Sequence, residues 1–149
     1  MRTALMFLIC VLAAPLFAQP PADEEGRGSF RVVDIYVDSK GAPLAAYQLR
    51  FSMTNTNAKI VGIEGGEHPA FREPPMYDPK AMQHERVIIA AFNTAPSDEL
   101  PKGKTRVATI HVAAIGGDAL QCILKVHTAA NPEGNKIAIE ATWEERKNK

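Results

Sequence analysis

Apolar residues in this chain recur at every second position over one short segment after another, and that spacing is its strongest constraint. Successive side chains of a strand point to opposite faces, so a period of two means strands, with the apolar set turned to a core. The stretch from His84 to Ala114 shows it best. Within Arg86–Phe92, Ile88, Ala90 and Phe92 share one face and Val87, Ile89 and Ala91 the other. A strand apolar on both faces is expected to be covered on both. After the turn-rich NTAPSDELPKGK, Ala108, Ile110, Val112 and Ala114 alternate with Thr109, His111 and Ala113, the pattern of a strand with one buried face. A two-faced central strand beside one-faced neighbours is what a β-sandwich requires.

The other segments agree. Phe30–Asp38 reads as the first strand, followed by the turn Asp38-Ser39-Lys40-Gly41-Ala42-Pro43. Ala45, Tyr47, Leu49, Phe51 and Met53 form the clearest one-faced strand, which Thr54-Asn55-Thr56-Asn57 breaks. Lys59–Glu64 is a short strand ending at Gly65-Gly66. Between Glu67 and Gln83 stand Pro69, Pro74, Pro75 and Pro79, a density that predicts neither a strand nor a sustained helix. Asp78–Met82 could start a single helical turn. Beyond the turn Ile115–Asp118, Leu120, Cys122, Leu124 and Val126 alternate with polar residues. Asn131–Asn135 turns the chain into Ile137, Ile139, Ala141 and Trp143. These are seven to nine strands in one domain, and the predicted class is an all-β sandwich.

Residues 1–18 read as a signal peptide: Arg2, then the apolar run Ala4–Phe17, then a cleavage site after Ala18. Cleavage would leave 149 − 18 = 131 residues with a formal charge of 16 − 17 = −1. The mature chain is expected to be exported to the periplasm or cell exterior, monomeric and without a transmembrane segment. Residues 19–29 form a flexible lead-in, 30–144 the sandwich and 145–149 a charged tail. A near-neutral chain without a Lys/Arg cluster excludes nucleic acid as a partner. Cys122, alone once the signal is removed, is expected to be a buried small hydrophobe.

Four pieces of this chain resemble the cohesin-type and carbohydrate-binding-module-like β-sandwich superfamily: VVDIYV, AAYQLRFSM running into KIVGIEGG, RVIIAAF, and GKTRVATIHVAA. The resemblance spans roughly residues 30–144. It implies a jelly roll of about nine strands without enzymatic activity. Cohesins bind calcium-loaded dockerin modules, and their relatives bind polysaccharide. No residue-specific motif maps across, so no dockerin contact is assigned, and the loop EHPAFREPPMYDP is longer and more charged than that family's pattern.

The candidate site is the proline-stiffened loop, with Glu67, His68, Phe71, Arg72, Tyr77, Asp78 and His84 as ligand-binding residues. Loops longer than about 12–15 residues in compact domains are often functional. Aromatic rings on a stiff segment supply contact area at little entropy cost. The competing reading is a loop that caps the sandwich with Phe71, Met76 and Tyr77 tucked beneath it. Glu67, His68, Asp78 and His84 are also metal-ligand types, but His68 and His84 are sixteen apart and show no compact ligand spacing. No catalytic motif is present. The sequence therefore favours an exported, non-catalytic module for a protein or polysaccharide partner. No cofactor is expected, with calcium left open. A metal-binding protein or metal-dependent enzyme using residues 67–84, and a structural envelope protein pairing through a sheet edge, are the alternatives.

Overall fold

The computed structural model describes residues 28–54 and 57–147; the expected signal peptide and the lead-in up to residue 27 lie outside them. Among the described residues the strands are β1 (Gly28–Asp38), β2 (Ala46–Met53), β3 (Ala58–Gly65), β4 (Met76–Tyr77), β5 (Arg86–Phe92), β6 (Lys104–Ile115), β7 (Cys122–Ala130) and β8 (Glu140–Glu145). They form two four-stranded antiparallel sheets, sheet A in the order β3-β6-β1-β8 and sheet B in the order β4-β5-β2-β7. The fold is all-β, two sheets face to face, and its eight strands among the described residues fall within the seven to nine read from the sequence, one short of the nine that the resemblance implies.

Alternation selects the core. Tyr47, Leu49 and Phe51 of β2 and Val87 and Ile89 of β5 meet Val33, Ile35 and Val37 of β1 and Ile110 and Val112 of β6. Each such side chain contributes about 1.5–3 kcal/mol on burial. The β1–β6 register slips at Ile35/Tyr36, which leaves Val107 of β6 without a residue opposite. The buried Tyr47 hydroxyl donates to the Val107 carbonyl at 3.2 Å, so the bulge costs no unpaired acceptor there.

Three expectations need correcting. The proline-rich segment does contain a strand, because Met76 and Tyr77, between Pro75 and Pro79, keep their N–H groups and pair with Ala90 and Ile89. The closing strand runs from Glu140 to Glu145, so it starts after Ile137 and Ile139 and takes in Glu145 from the expected tail. Arg146 is also held: its N–H donates to the Val32 carbonyl, and its guanidinium grips Asp34 through Nε at 3.1 Å and Nη2 at 2.6 Å. Asp34 is buried on the outer face of sheet A and also accepts from Thr109. Finally, the second apolar face of β5 is not covered. Ile88 is 44% and Phe92 67% exposed, because the 67–84 segment passes around the sheet edge and does not cross the face. Its backbone ties run to β3, where Ile60 pairs with Gln83 and His84, and to Arg106 of β6.

Candidate functional site

The segment 67–84 leaves β3 through Gly65 and Gly66. Glu67 is locked at once to β6: its N–H donates to the Arg106 carbonyl at 3.0 Å, and its Oε1 accepts from the Arg106 N–H at 2.9 Å. The Nδ1 of His68 accepts from the Ala70 N–H at 3.2 Å and caps the 3-10 turn Pro69–Phe71. Phe71 is 3% exposed and packs edge-on against Tyr47, with ring centroids 5.3 Å apart. Arg72 is exposed, and its backbone lies over Gly65. Asp78 caps the 3-10 turn Pro79–Ala81, the helical turn expected there, by accepting from the Lys80 N–H at 2.9 Å.

The seven candidates are therefore dispersed. Phe71 belongs to the core, Glu67 is a clamp, and His68 lines a separate depression beside Asn93 and Asp98. Tyr77, Asp78 and His84 do come together, in a groove of about 600 Å³ with Met76, Arg86 and Ile88. The capping reading holds for Phe71 and the half-buried Tyr77, whereas Met76 is 59% exposed. Among the described residues no three His, Cys, Asp or Glu side chains converge on a point where a metal ion could sit. Glu67, His68 and Asp78 each spend a ligand atom on a backbone N–H.

The groove opens where β4 stops. Glu85 accepts from the Met53 N–H and Asn93 donates to Ala45, so the odd-numbered backbone groups along β5 aim at β2. Those of Arg86 then aim at the other side, past the end of β4, and no strand among the described residues pairs with them. Around Ala90, Met76, Ile88 and Phe92 form an exposed apolar group on the outer face of sheet B, with Ile123 (54% exposed) beyond β2. Sequence reasoning missed this face as a site. Its signal was the second apolar row of β5, which was read as evidence of a cover.

Cys122 is half-buried against the core, as its alternation indicates. Burial, and then the Glu145 carboxylate, push its thiol up from 9.0 to about 12. At pH 8 the folded protein should react with iodoacetamide at least about tenfold more slowly than an ordinary thiol. Mass spectrometry before and after urea denaturation checks this, and fast labelling of the native protein would contradict the burial.

Among the described residues no helix is long and apolar enough to cross a membrane. Comparison with family models, curated proteins and solved structures brought no match.

Proposed function

We propose that this protein is an exported, non-catalytic binding module that holds a protein partner on the outer face of sheet B. The observation that carries it is the uncovered row Met76, Ile88 and Phe92, large apolar side chains grouped on one face. A sugar platform needs several flat aromatic rings. Here Phe92 is joined by aliphatic and thioether groups, which adapt to protein side chains. The unpaired edge at Arg86 supports the same choice, because its backbone groups match those of another polypeptide. A jelly-roll, cohesin-like ancestry belongs to this proposal. Its support is that the four resembling pieces fall on β1, on β2 and β3, on β5 and on β6.

The test is a pull-down from envelope and culture fractions, with and without calcium, beside a polysaccharide array. A single protein should be retained by the wild type and by Lys59→Ala on sheet A. The variant Ile88→Asp should lose it at least tenfold, since a buried charge opposite an apolar partner costs more than 1.4 kcal/mol. Retention by polysaccharide alone, or of nothing by folded protein, would overturn the reading.

A further inference from the structure

Sheet A and sheet B differ in charge as well as in cover. The strands of sheet A carry Asp34, Asp38, Glu64, Glu140, Glu144 and Glu145, and the described ion pairs all involve them. The strands of sheet B contain no Asp or Glu. Their charged side chains are Arg50, Arg86 and Lys125, all on the outer face, and none is in an ion pair among the described residues. Arg50 stands directly opposite Lys125 across the β2–β7 ladder and opposite Ile88 across β2–β5. Like charges in register are destabilising, so this pair gives the isolated fold nothing.

Resting on the reading of sheet B as a partner-binding face, we infer that the partner presents an acidic, aliphatic polypeptide segment in extended conformation. Its carboxylates meet Arg50 and Lys125, while its apolar residues lie over Ile88, Phe92 and Met76. Charge complementarity selects the anionic character of the occupant. An anionic membrane would satisfy the charges too, but a bilayer offers nothing to the strand-edge backbone at Arg86, whereas an extended chain offers the matching donors and acceptors. Apolar residues at alternate positions of such a chain would fall on one side, towards the face.

The test is an NMR titration of the purified, ¹⁵N-labelled protein with a capped peptide of about eight residues alternating glutamate and valine. The Arg50 Nε–H and the Arg86 and Ile88 amides should shift and saturate below about 1 mM, and the affinity should fall as salt is added. A peptide alternating lysine and valine should bind at least about tenfold more weakly. Arg50→Gln combined with Lys125→Gln should cost about tenfold in affinity for the glutamate peptide while leaving Tm unchanged or raised, which a structural role for the pair would not allow. Equal binding of the two peptides, or no shift at those groups, overturns the inference. Shifts with vesicles of phosphatidylglycerol in phosphatidylcholine, but not with the glutamate peptide, assign the face to a membrane. If the inference fails while Ile88→Asp still abolishes capture of a protein, the partner-binding reading stands. If Ile88→Asp leaves capture intact, that reading itself has failed.

Discussion

Replacing Phe71 with alanine should lower the unfolding free energy by about 3–5 kcal/mol. The ring is buried and meets Tyr47 edge to face, while Tyr47 in turn reaches across to the Val107 carbonyl of the other sheet. Removing the ring opens a cavity under the loop and withdraws one side of the packing that holds Tyr47 in place. Phe71→Leu, which keeps most of the volume, should lose less than about 1.5 kcal/mol. Urea denaturation of both variants checks the values. The functional consequence is specific: whatever fraction of Phe71→Ala stays folded should retain partner as the wild type does, because the ring has no surface to offer. A small stability loss combined with loss of partner would return Phe71 to the ligand-binding set.

Gly65→Ala should cost about 2–4 kcal/mol, with Gly66→Ala close behind. A methyl group at Gly65 would be driven into the Arg72 carbonyl and within 2.6 Å of the Glu73 carbonyl oxygen. At Gly66 it would meet the Arg106 carbonyl and lie 2.8 Å from the Val107 Cα. The obstruction is backbone in both cases, so no side-chain rotation relieves it, and the loop must lift from β3 or β3 from β6. Gly103→Ala is the control, since nothing lies within 4 Å of the added carbon. It should be neutral or stabilising by a few tenths of a kcal/mol, through the entropy of the unfolded chain. Thermal unfolding of the three variants decides the matter. An unchanged Tm for Gly65→Ala would mean that residues 72 and 73 are not seated on that glycine.

These two positions show where sequence reading succeeded and where it stopped. Gly65-Gly66 was legible as the end of a strand, because glycine pairs punctuate chains. That the pair is also a seat for the returning backbone was not, since the obstructing carbonyls are contributed by Arg72 and by Arg106, forty residues on. Phe71 was placed among possible ligand contacts because an aromatic ring in a polar loop fits either role. Only the position of Tyr47 beneath it decides for the core. Of the loop candidates, Tyr77, Asp78 and His84 share the groove, while Glu67 and His68 serve the loop's own backbone.

By itself the sequence determined the strand class, the inward face of most strands and the turns between them. All three follow from period-two alternation and from the backbone limits of glycine, proline and asparagine, which act over a few residues. It also determined that Cys122 packs inward and that β5 has two apolar faces. The tertiary structure alone decided which of those faces is covered. It sends the proline-rich segment around the edge and leaves Ile88 and Phe92 in the open. It also decided that Arg50 and Lys125, seventy-five residues apart, stand side by side with no carboxylate between them. Strand order and register are set by the packing of the whole chain, so a face built from β2, β4, β5 and β7 has no signature in any one of them.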